Sequence, residues 1–566
     1  MERKWWKEAV GYQIYPKSFN DTNGDGIGDI RGIIEKLDYL HHLGINMIWI
    51  CPIYKSPMDD NGYDVSDYFS IAPEFGTLDD VKELIAKAKD LGIRLVMDLV
   101  LNHTSDEHPW FVEARESKES KYRDYYIWQE GQTNEAGEEL EPTNWSSFFT
   151  PSCWEKDEIT NEYFMHIFSR KMPDLNWSNE EMRRELYKIV QWWLDLGVDG
   201  FRVDAIAHIE RDWTFTDSTD EDVKSGRYYQ DWGKFSNLPK VHTYLKELNQ
   251  EVLSKYDIFT VGEVGGGADC EEALRYTADE AKELNAAFTF DHCWFNNGFD
   301  SLDPEWDNTL DLVGLKKAFA QWQNGLYGKA WNPLYWLNHD HPRVMSQYGD
   351  ENFPKESGKM LATTLHMMWG IPFIYNGEEI GMTNANYESF EDYRDVATVE
   401  KIKNLLAEGH DEALVRRHVA VTSRDNARTP MQWDASEHAG FTTATPWMKV
   451  NRNYTTINVE SQLTDDTSLF NHYRKVIDLR RHSEYKDIIV YGNFHLLAAY
   501  DASVFAYTRT FEGRTLCVVS NFFETETCVH LPLKAKTILL SNYEDSGMNL
   551  ENLVLRPYES IVFEIN

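Results

Sequence analysis

Residues 81–100 read VKELIAKAKDLGIRLVMDLV, and this stretch decides the fold class. Val81, Leu84, Ile85, Ala88 and Leu91 recur at the spacing of one helical face, and Gly92 supplies the left-handed stop. Arg94-Leu-Val-Met-Asp-Leu-Val100 then follows as an apolar run of strand length. The same unit occurs twice more. Ile33, Ile34, Leu37, Leu40 and Leu43 lead to Gly44 and Asn46-Met-Ile-Trp-Ile-Cys51. Leu186, Ile189, Val190, Trp193 and Leu194 lead to Gly197 and Gly200-Phe-Arg-Val-Asp204. Helices alternating with buried strands specify a parallel α/β sheet. A doubly wound sheet is the rival, and no GxGxxG follows the first strand to support its nucleotide-binding form. Further strands are expected at 9–15, 258–263, 287–291, 332–338 and 371–375. Eight strands favour a (β/α)8 TIM barrel.

The stops at Gly44, Gly92 and Gly197 are unevenly spaced, the second step being more than twice the first. The surplus places an inserted subdomain at 103–175, at the C-terminal end of the third strand, where barrel active sites lie. The barrel occupies 1–102 and 176–485, and helix Leu469–Arg481 closes it. From 486 to 566 short β runs take over at Ile488–Tyr491, Val504–Arg509, Thr515–Phe522, Cys528–Leu531, Thr537–Leu540 and Ser560–Glu564. They imply a C-terminal antiparallel β-sandwich.

Composition bounds the partners. Lys and Arg total 56 against 94 Asp and Glu, a net charge of −38. That balance disfavours nucleic acid and anionic membrane and suits a small neutral substrate. No apolar run has transmembrane length, and the N-terminal MERKWWKEAVGYQIYP lacks a signal core. Cys51, Cys153, Cys270, Cys293, Cys517 and Cys528 lie far apart, so reduced buried thiols and a cytoplasmic location are expected.

Four carboxylates fall at or near strand C-termini: Asp98, Asp204, Glu263 and Asp340. A carboxylate ending a buried strand needs solvent, metal or a hydrogen-bond partner. Four converging on one barrel mouth point to chemistry. Two facing carboxyl groups are what glycosidic cleavage requires. Arg202, two residues before Asp204, shares its face of the strand and favours the ionised form that suits a nucleophile. Glu263 would need a raised pKa to act as acid. His103 and His339, beside the carboxylates, supply neutral hydrogen bonds to sugar hydroxyls.

The chain resembles glycoside hydrolase family 13, the α-amylase family, and within it the oligo-1,6-glucosidase and α-glucosidase group. The resemblance rests on Gly11-Tyr-Gln-Ile-Tyr-Pro16, Asp60-Asn-Gly-Tyr-Asp64, Asp98–His103, Met172-Pro-Asp-Leu-Asn-Trp177, Gly200–Asp204, Glu263 and Asn338–Arg343. It continues through Gly370–Met382 and Ser423–Trp433. It implies that Asp204 is the nucleophile, Glu263 the general acid/base, and Asp340 the group holding the 2- and 3-hydroxyls, with retention of configuration. Tyr63 would stack beneath the terminal glucose, with Phe168 among the sugar contacts. Asp60 or Asp64, with Arg424 or Arg428, would grip the far hydroxyls. Met172, Asn376 and His341 each stand where the group usually has Gln.

Linkage is read after the nucleophile. In this group Val there accompanies α-1,6 cleavage and a smaller side chain or Thr accompanies α-1,4; here the residue is Ala205. His208 stands one turn on, within reach of the leaving sugar. The expected enzyme is an exo-acting α-glucosidase releasing α-glucose from short, α-1,4-linked oligosaccharides. Alternatives on the same scaffold are an oligo-1,6-glucosidase, a trehalose-6-phosphate hydrolase and a sucrose isomerase or glucosyl transferase. A non-catalytic sugar sensor is the contrasting class, disfavoured because all three carboxylates are present. A monomer or weak homo-oligomer is expected.

Asp21-Thr-Asn-Gly-Asp-Gly-Ile-Gly-Asp29 spaces oxygen donors as a hard cation requires. Gly32 stands where an EF-hand needs Glu, which excludes that motif. The resemblance implies structural Ca²⁺ held by Asp21, Asn23, Asp25, the Ile27 carbonyl and Asp29, apart from the chemistry.

Overall fold

The computed structural model describes residues 2–566. Eight strands alternate with helices: β1 (Gly11–Ile14), β2 (Met47–Ile50), β3 (Arg94–Val100), β4 (Gly200–Asp204), β5 (Phe259–Glu263), β6 (Ala286–Phe288), β7 (Pro333–Leu334) and β8 (Ile371–Tyr375). They form one sheet in the order β6-β5-β4-β3-β2-β1-β8-β7. From β2 on, each strand but β7 neighbours its chain predecessor, and β1 pairs in parallel with β8. This is the order of a (β/α)8 barrel.

The helix stops are as the sequence implies. Gly44 (φ 102°) and Gly197 (φ 114°) cap their helices in the left-handed region, which a Cβ would strain. The first helix is broken at Lys36 into Ile30–Glu35 and Leu37–Leu43. β6 and β7 are shorter than expected. Pro333 and Pro372 sit in the β7–β8 pairing and lack the amide hydrogens a longer ladder needs.

The chain divides into two compact units. One comprises Trp49–Ile85 and Leu95–Thr289, the other Met1–Ile48, Ala86–Arg94 and Phe290–Asn566. In the first, β3 to β6 are successive parallel neighbours, and Arg202 of β4 is in register with Asp98 of β3. Helix Glu180–Leu196 is capped by Asn179 and buries Met182, Leu186, Ile189, Val190 and Trp193. Each such side chain contributes about 1.5–3 kcal/mol by burial.

The insertion after β3 holds a three-stranded antiparallel sheet of Trp128–Gln129, Glu162–Met165 and Trp154–Asp157. Its core of Trp145, Cys153, Trp154, Tyr163 and Met165 is completed by Phe235, Phe215 and Trp232. Those three residues come from the segment after β4, so the subdomain is built from two stretches of chain.

In the second unit, β9 (Asn493–Leu497), β10 (Val504–Phe511), β11 (Arg514–Asn521), β12 (Ala535–Ser541) and β13 (Ser560–Ile565) form an antiparallel sheet in the order β9-β10-β11-β13-β12. The expected strand Ile488–Tyr491 is instead the end of helix Lys486–Tyr491. Its four apolar residues are all buried, and a short continuous apolar run does not separate buried helix from buried strand. Lys316 on helix Leu312–Leu326 donates to the carbonyls of Ala498, Asp501 and Val504.

All six cysteines are free thiols. Four are buried as expected, but Cys270 is half-buried and Cys528 is exposed. Among the described residues no helix is long and apolar enough to cross a membrane.

Candidate active site

In the first unit the strands deliver three carboxylates to one guanidinium. Arg202 and Asp204 lie two apart on β4 and therefore share a face. Arg202 Nη1 donates to Asp204 Oδ1 at 2.5 Å and to Asp98 Oδ1 at 2.9 Å. Its Nη2 lies 2.9 Å from Glu263 Oε2. The guanidinium packs over Trp49 and Tyr63, 5.2 and 5.8 Å from the ring centroids. Trp49 Nε1 and Tyr63 OH both donate to Asp98 Oδ2, at 3.0 and 2.9 Å.

Exposure separates the three acids. Asp98 is sealed, whereas the Asp204 and Glu263 side chains are 11% and 21% exposed. Asp98 therefore anchors Arg202, while Asp204 and Glu263 are open to a substrate. Burial pushes Asp204 well above the ordinary carboxylate range, Arg202 opposes it, and the charges of Glu263 and Asp98 add to it. Burial also raises Asp98. One cation among three carboxylates, two of them buried, favours retention of a proton within the cluster. Such a pair, one carboxylate to attack and one carboxylic acid to donate, is the chemistry of glycosidic cleavage. If Asp204 must be ionised to react, kcat/KM should fall on the acid side through a midpoint above the usual Asp value of about 3.9. A pH profile of kcat/KM checks this, and a midpoint at or below that value would contradict it.

Ala205 adopts the left-handed conformation (φ 45°), and its amide donates to Glu263 Oε2 at 3.0 Å. The backbone after Asp204 therefore touches the second carboxyl directly.

His103 and His208 are neutral. Burial lowers His103 to about 3. Its Nε2 donates to the Tyr63 carbonyl at 3.2 Å, and Nδ1 accepts from Asn102 at 3.1 Å. Phe168 packs on this ring, with centroids 5.3 Å apart. Burial lowers His208 to about 4. Its Nδ1 lies 3.2 Å from the Phe235 carbonyl oxygen and 2.8 Å from the Ser236 hydroxyl. Asp64 braces its own turn, accepting from the amides of Asp59 and Asp60, and burial raises it to about 6. Asp60 is buried.

The second unit holds a second polar cluster. Asp340 Oδ1 accepts from Arg428 Nη2 at 2.9 Å and Arg424 Nη1 at 3.1 Å. His339 Nε2 lies 3.1 Å from Asp340 Oδ2, and Gln13 Nε2 lies 2.9 Å from His339 Nδ1. Behind them Asp395, wholly buried, binds both arginines. Burial works to raise Asp395, but Arg424 and Arg428 outweigh it and hold it at about 2.

In the loop 21–29, Asp21 accepts from the amides of Asn23, Gly24 and Gly26, Asn23 from Asp25, and Asp25 from Ile27. Asp29 accepts from Gly32 and caps the next helix. Among the described residues no three His, Cys, Asp or Glu side chains form a metal cluster. The loop presents mixed carboxylate, amide and backbone oxygens, the set a hard cation takes; Asp29 also accepts from the amide and hydroxyl of Thr22, and Asp21 from the Thr442 hydroxyl.

Sequence reasoning missed Trp49, Gln13 and Asp395. Trp49 lies in an apolar strand and reads as core. Asp395 opens helix Val396–Ala407 and reads as an ordinary N-cap.

Known proteins match the chain over almost its whole length. The model of the alpha-amylase catalytic domain matches residues 13–492, and that of the alpha-amylase SusG C-terminal domain matches 504–562. The chain is 50% identical to an oligo-1,6-glucosidase of Parageobacillus thermoglucosidasius, with 100% of each chain covered. It is 43% identical to the trehalose-6-phosphate hydrolase of Bacillus licheniformis, whose crystal structure matches with a TM-score of 0.91 over 100% of both chains. It is 39% identical to the trehalulose synthase of Pseudomonas mesoacidophila, with a TM-score of 0.93 over 100% of both.

Proposed function

The chain belongs to the α-amylase family of glycoside hydrolases, and from that premise we propose an exo-acting, retaining α-glucosidase that releases glucose from short α-1,4-linked oligosaccharides. Asp204 attacks the anomeric carbon and forms a glucosyl-enzyme. Glu263 protonates the departing oxygen and then deprotonates the incoming water. The observation that carries this reading is the single Arg202 fork bonded to both carboxyl groups. It holds them at short range, as retention requires at about 5–5.5 Å. Asp340 takes the 2- and 3-hydroxyls. Asp60 or Asp64 grips the far hydroxyls; the Asp64 oxygens also brace their own turn. Of the two arginines, Arg424, 17% exposed, is more open to a sugar hydroxyl than Arg428 at 1%.

The α-1,4 preference rests on Ala205, whose methyl group leaves the leaving-group side open. Initial rates should be higher on maltose than on isomaltose; equal or faster turnover of isomaltose would overturn the preference. Ala205→Val should shift the ratio toward isomaltose. A β-branched residue is strained at φ 45°, so the ratio rather than the absolute rate is the readout. The oligo-1,6-glucosidase relatives favour α-1,6 cleavage, and the same assay decides between the two.

Ca²⁺ in the loop Asp21–Asp29, held by Asp21, Asn23, Asp25, the Ile27 carbonyl and Asp29, would crosslink the turn before helix Ile30–Glu35. Binding only to the folded state raises stability, so chelation should lower Tm by a few degrees. An unchanged Tm in a sample shown to have lost its metal would remove the assignment.

A further inference from the structure

We propose that Asp395 is a positioning residue for Asp340, acting through Arg424 and Arg428; this rests on the reading of Asp340 as the group that binds the 2-hydroxyl. The geometry is a neutral quartet of two carboxylates and two guanidinium groups. Arg424 gives Nη1 to Asp340 and both Nε and Nη2 to Asp395 Oδ1, the last two at 2.9 and 2.5 Å. Arg428 gives Nη2 to Asp340 and Nη1 to Asp395, at 2.9 and 3.3 Å. Each arginine is therefore stretched between an outer acid, 26% exposed, and an inner one that is sealed.

Asp395 is itself fixed. Its Oδ2 accepts from the amide and hydroxyl of Thr398, at 2.9 and 2.8 Å. Its own amide donates to Asp425 Oδ2 at 3.0 Å. The two guanidinium planes are thus oriented from behind. Without the inner charge, both cations would turn toward Asp340, with Arg428 Nε keeping the His339 carbonyl at 3.0 Å. The Asp340 lone pairs would then be drawn from the sugar to the arginines, and the buried quartet would carry an unmatched positive charge.

The test compares hydrolysis of p-nitrophenyl α-glucoside with its 2-deoxy analogue. The ratio of kcat/KM values is the 2-hydroxyl penalty. In Asp340→Asn the penalty should collapse, which establishes the underlying reading. In Asp395→Asn, which keeps shape but removes charge, the penalty should shrink about tenfold, the size of coupling within one contacting network. The loss should fall on kcat more than on KM, and Asp395→Glu should recover part of it. Should Asp395→Asn fail to fold, Thr398→Val carries the test, with a smaller change in the same direction. A penalty unchanged in Asp395→Asn, or in Thr398→Val if that variant stands in, while it collapses in Asp340→Asn, would overturn the proposal and leave the reading of Asp340 intact. A penalty unchanged in Asp340→Asn would overturn both.

Discussion

Asp204→Asn should abolish turnover, with kcat falling by about 10⁴-fold or more, the order seen when a nucleophile is removed from an interdependent catalytic set. The amide cannot attack the anomeric carbon, while Arg202 keeps Asp98 and Glu263 as partners. The fold should survive. Burial raises the Asp204 pKa, so its ionised form costs stability at neutral pH, and the uncharged amide should leave Tm unchanged or higher. Loss of activity with Tm retained is the signature. Activity retained in the variant would sink the mechanism and leave the sugar-sensor class open. Glu263→Gln offers an internal control. An aryl glucoside, whose leaving group needs little protonation, should lose less in glucosylation than maltose does.

Arg202 should be the most damaging single site for fold and chemistry together. Arg202→Ala would leave Asp98, Asp204 and Glu263 without their shared cation. Breaking a buried ion pair by removing one partner costs about 3–5 kcal/mol, and here three acids depend on one group. Soluble yield and Tm should fall sharply. Arg202→Lys keeps the charge but lacks the planar fork that reaches all three. It should fold, with kcat/KM reduced by about 10²-fold, in the range of misplaced catalytic groups. Because Arg202 opposes the rise in Asp204, weakening that contact should move the acid limb of the pH profile to higher pH. An unchanged profile in Arg202→Lys would show that the fork does not govern Asp204.

The barrel was legible because its repeating unit is stated in physical terms that recur. An apolar helical face, a glycine stop and an apolar strand located Arg94–Val100 and Gly200–Asp204 at the bounds they adopt, and the apolar run 371–375 is a strand at its expected bounds. Where the pattern is only apolar it misled, as at Ile488–Tyr491. The link from Arg202 to Asp204 was readable from the two-residue strand period. Its link to Asp98 needed strand register, which is set by neighbours distant in sequence. Asp395 was invisible for the same reason, since its partners lie about 30 positions on.

The shared aromatic core of the insertion has a consequence for recombination. Phe215, Trp232 and Phe235 complete a core whose other members precede β4. A chimera that exchanges only residues 103–175 would pair two surfaces that were never fitted to each other. The unit of exchange must carry both stretches. Drift in one stretch then constrains the other, so the lobe and the segment leading away from Asp204 evolve as one part although the barrel strand runs between them.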